Sequence, residues 1–503
     1  MTEDATHVRF RRGLLFTSSG AIVNLFLLAV ETVVAARVLP VAIYGAYILL
    51  TTTVQFLMIV ADLGCKLSVI QFLSRGEESR SRAVVATALG FRVATLAVLS
   101  GVVWLFHDLL RFVDPSPDLA FYVGFIPIML VTSSLDELLS AMLQGFHRYR
   151  PMALAQITRG VLRVVLTSGL LIILHAGIVG LVASWSISFA VAVAYQYWSL
   201  PRRGLTNLSL TTLREILSFG ASLQATSFLS FAASRLHVTL LGALAGVDSV
   251  AFFAAASRIP DALSTLKDSY FRVYFPSMTT LLAQKRHQTA QVLFDRSMRL
   301  ISFGGALAAV TGTVFSRQII EVIYSAKYES AAPAFAVLMV SLQMTIQVSV
   351  LGYTLTAAGH PGKSLAVTLV RTVASALGDL LLIPPLGFLG SAWAAVGGSY
   401  ASLPSGVWLL RSSATRAEVA PCLKQTALLI VFAAVGWWIQ PEGIVESGVL
   451  KVAIVAAFVV TSVRLATITS DDLSLVVGGR LSRLALRVGF AGAPVAQLEQ
   501  IEG

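Results

Sequence analysis

The most informative polar residues of this sequence lie on one apolar stretch. Gln156, Arg159 and Arg163 are spaced i, i+3 and i+7, so on a helix all three share one face. With a rise of about 1.5 Å per residue, a helix that begins four residues before Gln156 places Arg163 about 16 Å along its axis. Guanidinium groups stay charged and bind phosphate through paired hydrogen bonds. The spacing therefore predicts a cationic face that can bind an anionic group.

An ion pair is the alternative explanation of these arginines, with Asp136 or Glu137 as the expected partner. Arg235 and Arg258 also lie within apolar sequence, where a charge usually faces a protein interior or a water-filled cavity. We expect both to bind substrate, with structural pairing left open.

Three acids are candidates for an ion-coupling role, because a carboxylate in a low-dielectric cavity can exchange a proton for a cation. Glu31 lies near the outer end of the first apolar stretch and Asp62 near the inner end of the second, so both could be interfacial. Asp379 is the deepest of the three. A structural pair with Arg371, eight residues earlier, is its alternative role.

The elements that position these residues follow from composition. The 503-residue chain is 56% hydrophobic and 13% charged, about half the charge of an ordinary globular domain. A bilayer core of about 30 Å requires about 20 apolar residues per helix. The sequence predicts an all-α polytopic membrane protein and excludes a soluble enzyme, a disordered chain and a secreted disulfide scaffold. About 14 transmembrane helices are expected near 13–35, 43–64, 83–105, 119–139, 152–174, 176–198, 216–241, 249–276, 297–315, 331–353, 364–385, 389–410, 424–438 and 448–467.

The net charge of +11 reflects topology and not nucleic-acid binding, because Lys and Arg form short clusters between the apolar stretches. With a cytoplasmic N-terminus, nineteen Lys and Arg residues fall in inner segments and five in outer ones. Both termini, 1–12 and the tail 468–503, are therefore predicted to be cytoplasmic. The tail could form an interfacial amphipathic helix or be simply solvated.

An internal repeat divides the chain. LIILHAGIVG (171–180) matches LLIPPLGFLG (381–390), and a weaker pair aligns 36–47 with 241–252. The nearly equal offsets predict two six-helix halves, 13–198 and 216–410, followed by two additional helices in 424–467. Such duplication is typical of transporters. The seven scattered histidines and the absence of a P-loop motif predict no metal, no cofactor and no ATP hydrolysis by this chain.

Several segments resemble the polysaccharide and O-antigen flippases (Wzx-type, polysaccharide transport family) of the multidrug/oligosaccharidyl-lipid/polysaccharide exporter superfamily. AARVLPVAIYGAYIL (35–49) follows their A-x-x-L-x-x-x-x-Y-G-x-Y pattern. Similar segments are LQGFHRYRPMALAQI (143–157), VIYSAKYESAAPAFAVL (322–338) and IPPLGFLGSAWA (383–394).

The resemblance implies a non-enzymatic flippase of the bacterial cytoplasmic (inner) membrane, which moves undecaprenyl-pyrophosphate-linked oligosaccharides by alternating access driven by an ion gradient. It implies roles in O-antigen or lipopolysaccharide synthesis, with a polysaccharide polymerase and a chain-length regulator as partners. The family geometry would place Arg235 and Arg258 at a central cavity.

Two alternatives stay open. A cation-coupled drug or metabolite antiporter of the same superfamily would have fewer cavity arginines and one dominant membrane carboxylate. A polysaccharide polymerase would need a sizeable outer loop, whereas the longest outer segments here, near 106–118 and 316–330, are short.

Overall fold

The computed structural model of the chain describes residues 26–74, 78–105, 122–201, 208–411, 419–438 and 444–465, together with Val23, Thr467 and Ile468. All regular secondary structure within these ranges is helical. Nine of the helices described there are long and apolar enough to cross a membrane. The predicted class, an all-α polytopic membrane protein, is confirmed.

The chain divides into two compact units, Met1–Ala254 and Ala255–Gly503. The helices of the N-terminal unit are α1 (26–38), α2 (Val41–Asp62), α3 (Cys65–Ser74), α4 (Glu78–Leu105), α5 (Ile126–Gly145), α6 (Tyr149–Ser168), α7 (Gly177–Ser199) and the first part of α8 (Leu210–Ala283). A π-helical turn, Gly169–Ile173, extends α6. Buried apolar side chains of α3, α4 and α5 form the core at one end of this unit.

The C-terminal unit contains the rest of α8, followed by α9 (His287–Val314), α10 (Ser316–Tyr324), α11 (Ala332–Ala357), α12 (Pro361–Leu386), α13 (Phe388–Leu410), α14 (Val419–Trp438) and α15 (Ile444–Arg464). Its core packs aromatic residues of α8 against α9, α11 and α13.

Each predicted span overlaps a described helix, and the differences concern helix ends. Helix α8 covers two predicted spans, 216–241 and 249–276, and breaks at Gly246, whose φ of +80° only glycine adopts readily. The helix predicted to begin at 297 begins ten residues earlier, at His287. Residues 1–12, most of 13–25 and the tail from 469 lie outside the described ranges, and the boundaries of the six-helix halves stay a prediction.

The repeated glycines of the sequence have the same structural role in both units. Gly177 and Gly387 each have φ of +56° and lie at the start of α7 and α13 respectively. Three residues later, a Cβ atom on Gly180 would lie 3.1 Å from the Leu170 side chain, and one on Gly390 would lie 2.0 Å from the Leu382 carbonyl oxygen. Both turns therefore rely on glycine to bring consecutive helices together.

Candidate functional site

Helix α6 holds Arg163 against two other helices of the N-terminal unit. Its Nε donates a hydrogen bond of 2.8 Å to the Glu31 carboxylate on α1, and Nη2 donates one of 2.9 Å to the Tyr47 hydroxyl on α2. The side chain of Arg163 is 12% exposed and that of Glu31 is 3% exposed. Charge-assisted hydrogen bonds of this kind are strong in a buried setting.

Aromatic rings of α7 complete the surroundings of both α6 arginines. The Arg163 guanidinium carbon lies 4.1 Å from the Trp185 ring centroid, and that of Arg159 lies 4.6 Å from the Phe189 centroid. The two rings stack at 4.9 Å. The arginines are one helical turn apart, as are the aromatic residues, so two i, i+4 pairs meet as cation–π contacts.

A second ion pair lies one turn along α6. Arg159 bonds to Asp136 on α5, whose other oxygen, Oδ1, accepts a hydrogen bond of 2.7 Å from Gln196 Nε2. Ser140 Oγ in turn donates to Gln196 Oε1 at 3.3 Å. Asp136 is thus compensated by a cation and an amide on two different helices.

Two further pairs join α2, α3, α4 and α5. Arg92, which is fully buried, bonds to Asp62 and donates to Ser134 Oγ at 2.9 Å. Lys66 Nζ lies 2.6 Å from Glu137 Oε1. With Arg159–Asp136 and Arg163–Glu31, four cations of this unit pair one to one with four carboxylates, which suits a low-dielectric interior.

The structure brings one predicted substrate residue, Arg163, into contact with one predicted coupling residue, Glu31. The ion pairs of the alternative explanation are present. Arg159 bonds to Asp136, one of the two expected acids, whereas Arg163 bonds to Glu31, since Asp136 and Glu137 bond to other cations. Those acids lie on α5, whereas Arg163 is directed toward α1 and α2. Glu31 is buried within the protein, and its depth in the membrane stays a prediction.

The other predicted residues lie apart from this contact. Gln156 is half-buried on α6 and has no hydrogen bond to any residue that the structure describes. Asp62 is the last residue of α2. Arg235 and Arg258 are half-buried on α8, in the N-terminal and C-terminal units respectively.

Asp379 is buried in the C-terminal unit, where it accepts a hydrogen bond of 2.8 Å from Ser391 Oγ. Its alternative role as partner of Arg371 is wrong. No carboxylate among the described residues lies within ion-pair distance of Arg371. Eight residues on a helix place the two side chains about 80° apart around the axis.

Sequence reasoning missed Tyr47, Trp185 and Phe189. Tyr47 ends both the repeat segment 36–47 and the flippase-like pattern, and its place near the end of a predicted span is typical of a membrane-interface anchor. Trp185 and Phe189 have the same i, i+4 spacing as Arg159 and Arg163, which is the signal that could have paired the two helices.

The Arg163 site contains one hydrogen-bond donor without a partner among the described residues. The indole Nε1 of Trp185 is buried and has no hydrogen-bond partner within the described ranges. An unpaired buried donor costs about 1–3 kcal/mol, which a bound acceptor would recover. The donors of this site are therefore the Arg163 guanidinium, which Glu31 now occupies, and the Trp185 indole N–H.

The sequence profile of a family described as "Polysaccharide biosynthesis protein" matches residues 10–282. No curated protein sequence matches the chain significantly.

Solved structures with the same fold are transporters. The structure of lipid II flippase MurJ in its inward closed conformation has a TM-score of 0.69 and 12% identity, over 90% of this chain and 98% of that one. An inward-facing multidrug resistance MATE family transporter of the MOP superfamily has a TM-score of 0.64 and 16% identity, over 83% and 99% of the two chains. A MOP superfamily transporter from Pyrococcus furiosus has a TM-score of 0.51 and 18% identity, over 84% and 96%. At these identities the likeness establishes the fold alone.

Proposed function

Since the chain belongs to the polysaccharide biosynthesis protein family, we propose that it is a flippase for lipid-linked oligosaccharides. It translocates undecaprenyl-pyrophosphate-linked units from the inner to the outer leaflet of a bacterial cytoplasmic membrane, by alternating access. The observation that carries the proposal is the buried contact between Arg163 and Glu31 beside the unpaired indole N–H of Trp185.

The pyrophosphate binds at this contact. Its oxygens replace the Glu31 carboxylate on Arg163 and accept the Trp185 N–H, while Arg159 and Gln156 on the same face of α6 extend the donor set. Arg235 and Arg258 are further candidate contacts, because a half-buried arginine in a membrane segment is by default a functional group.

Coupling follows from competition for Arg163. A pyrophosphate that displaces Glu31 would leave a buried, uncompensated carboxylate, which is strongly unfavourable. A proton on Glu31 removes that charge and needs no coordination shell of its own. Substrate and proton therefore bind together, and release of the proton restores the ion pair and expels the substrate.

Glu31 is the preferred coupling residue of the three acids predicted. Asp62 is bonded to Arg92 and also caps the backbone N–H of Lys66 at 3.1 Å, so its charge has a structural role. Asp379 has a serine and no described cation as partner, and it is the second candidate for a proton site.

The alternative function is cation-coupled export of a drug or metabolite, for which the MATE-like fold is the supporting observation. A cationic substrate would need an acidic site. In the N-terminal unit, however, each of four acids bonds to a Lys or Arg: Glu31, Asp62, Asp136 and Glu137. These pairs neutralise their cations as well, so charge balance favours neither sign, and the Trp185 N–H without a partner among the described residues is what favours an anionic substrate. A polysaccharide polymerase is the least favoured alternative, since the family and fold are those of transporters.

We extend the proposal to the cellular setting. The nineteen-to-five distribution of Lys and Arg supports cytoplasmic termini in the inner membrane. Assembly of O-antigen or another lipopolysaccharide-linked polymer would place a polysaccharide polymerase and a chain-length regulator in the same membrane.

The test is translocation by the purified full-length chain in liposomes. A fluorescent polyprenyl-pyrophosphate oligosaccharide is placed in both leaflets, and outer-leaflet label is destroyed by a membrane-impermeant reductant. Protein-dependent loss of the inner-leaflet label is the expected result. Folded protein that moves a lipophilic cationic dye and not the oligosaccharide lipid would establish the antiporter instead.

A further inference from the structure

The C-terminal unit contains a separate cavity of about 400 Å³, lined by residues of α8, α11 and α12. This volume lies in the lower part of the range of about 300–1,000 Å³ for small-molecule sites. It has room for a monosaccharide phosphate and not for a whole oligosaccharide. None of its lining residues belongs to the Arg163 site.

Two cations and no carboxylate are among the lining residues that the structure describes. Lys267 comes from α8 and Arg371 from α12. Arg371 is half-buried and has no carboxylate within ion-pair distance in the described part of the chain, unlike Arg92, Arg159 and Arg163 of the N-terminal unit. A cation left without a counter-ion inside a membrane protein marks a place where an anion binds.

The remaining polar lining consists of hydroxyl groups, three of which donate to the backbone of their own helix. Ser349 Oγ donates to the Thr345 carbonyl at 2.8 Å, and Thr368 Oγ1 donates to the Ser364 carbonyl at 3.2 Å. Thr356 Oγ1 donates in the same way to Gly352, at 2.9 Å. A hydroxyl that donates to its own helix keeps its oxygen lone pairs as acceptors. The lining therefore presents cationic donors on two helices and neutral acceptors on two.

Aromatic residues form a fixed wall on one side. Tyr353 and Phe275 both line the cavity, and the Tyr353 ring stacks on Phe271 at 4.3 Å with an interplanar angle of 16°. Phe271 is 1% exposed, so the tyrosine rests against an immobile neighbour. A rigid aromatic face suits the C–H surface of a sugar ring.

We infer that this cavity of the C-terminal unit binds a glycosyl phosphate, with the phosphate on Lys267 and Arg371 and the sugar hydroxyls donating to the serine and threonine oxygens. An inorganic phosphate would leave the aromatic wall unused, and a neutral sugar would leave Arg371 without a counter-ion among the described residues. The inference rests on the proposed function for its biological source, since the first sugar and its phosphate are the polar start of a lipid-linked oligosaccharide.

The experiment measures binding to the full chain in phosphatidylcholine nanodiscs by calorimetry. The probes are N-acetylglucosamine 1-phosphate, inorganic phosphate, N-acetylglucosamine and a short-chain polyprenyl-pyrophosphate N-acetylglucosamine. Both phosphorylated sugars are expected to bind. N-acetylglucosamine should bind at least about tenfold more weakly because it lacks the charge-assisted hydrogen bonds, and inorganic phosphate at least about tenfold more weakly because it lacks the sugar contacts. If only the lipid-linked probe binds, or inorganic phosphate binds as tightly as the sugar phosphate, the inference is overturned.

Variants assign the binding to this cavity. Arg371→Gln and Lys267→Gln are expected to weaken sugar phosphate binding at least about tenfold each, and Arg371→Lys less, because it keeps the charge and loses the paired donors. Lys363→Gln, on the same helix α12 but not in the lining, is the matched control and should bind like the wild type. Equal binding by folded Arg371→Gln and wild type contradicts the proposal.

Translocation is measured on the same preparations. If the wild type binds sugar phosphate through Arg371 but does not move the lipid, the inferred cavity site stands and the proposed flippase function is refuted. If the wild type moves the lipid but binds no sugar phosphate, the flippase function stands and the inferred cavity site is refuted. The melting temperature of each variant separates lost binding from lost folding, and Arg371→Lys remains informative where the glutamine variant does not fold.

Discussion

At the scale of single residues, the N-terminal unit compensates the charges of its membrane segments by pairing cations with carboxylates. Four cations of this unit, Lys66, Arg92, Arg159 and Arg163, each have a carboxylate partner on another helix. Arg163 differs from the other three because the ring over its guanidinium is an indole whose N–H has no partner among the described residues. Its ion pair can therefore be exchanged for another anion, whereas Arg92 is fully enclosed.

Removal of one partner should reveal the coupling between Arg163 and Glu31. We expect Arg163→Ala to destabilise the fold by about 3–5 kcal/mol, since it leaves a buried unpaired carboxylate. Adding Glu31→Gln should restore most of that loss. Thermal unfolding in detergent provides the measurement, and Arg317→Ala, at a half-exposed ion pair, should change nothing detectable. A double variant as unstable as Arg163→Ala would show that the pair is not coupled.

The indole N–H of Trp185 should matter for substrate and not for folding. Trp185→Phe keeps a ring over Arg163 and removes the donor, so we expect affinity for the oligosaccharide lipid to fall about five- to tenfold at an unchanged melting temperature. Trp185→Leu should lower both. Trp408→Phe, at a largely exposed tryptophan, is the control. Wild-type affinity in Trp185→Phe would place the pyrophosphate elsewhere.

At the scale of elements, the fold depends on turns where glycine lets helices approach closely. Gly387 turns the chain between α12 and α13, and Gly390 and Gly398 bring the backbones of these helices together. Small residues have this role in membranes because burial of apolar surface does not drive one helix against another. The same turn recurs at Gly177, which supports the internal repeat.

One pair of glycines on α13 tests this packing. A Cβ atom on Gly390 would lie 2.0 Å from a backbone oxygen of α12, whereas one on Gly397 would meet nothing within 4 Å. We expect Gly390→Ala to lower stability by about 1–3 kcal/mol or more and Gly397→Ala to leave it unchanged or raised. The melting temperatures of the two variants, measured in the same detergent, test whether Gly390→Ala is less stable than Gly397→Ala. Equal values would mean that the two helices separate without cost.

The sequence predicted the helices well and their contacts poorly. Hydropathy locates every span because the bilayer imposes a length and an apolar composition on each one separately. It could not show that Arg163 is directed toward Glu31, 132 positions away, and not toward Asp136. Pairing depends on the rotation of each helix about its axis, which hydropathy leaves undetermined. The C-terminal cavity was missed for the same reason, since Lys267 and Arg371 meet only through packing.

At the scale of the whole molecule, each unit has its own polar interior with a distinct charge pattern. The N-terminal unit contains four cation–carboxylate pairs, and the C-terminal unit contains a cavity whose described lining has two cations and no carboxylate. We propose proton-dependent release of substrate for the first pattern and binding of a sugar phosphate for the second. A flippase that handles a pyrophosphate-linked sugar has use for both.

The proposed orientation can be tested by labelling, because both native cysteines, Cys65 and Cys422, are buried. Val322→Cys, at an exposed site predicted to be outside, should react with a membrane-impermeant maleimide in intact cells. Arg286→Cys, exposed and predicted to be inside, should react only after the cells are opened. The reverse pattern would invert the topology and the proposed direction of transport.

The central claim is that substrate and proton bind together at the contact between Arg163 and Glu31. Calorimetric titration of a short-chain polyprenyl-pyrophosphate oligosaccharide in buffers of different ionisation enthalpy counts the protons taken up on binding. The account predicts uptake of about one proton per substrate by the wild-type chain and none by Glu31→Gln, which should still bind. Wild-type binding without proton uptake, or the same uptake in both proteins, would contradict it.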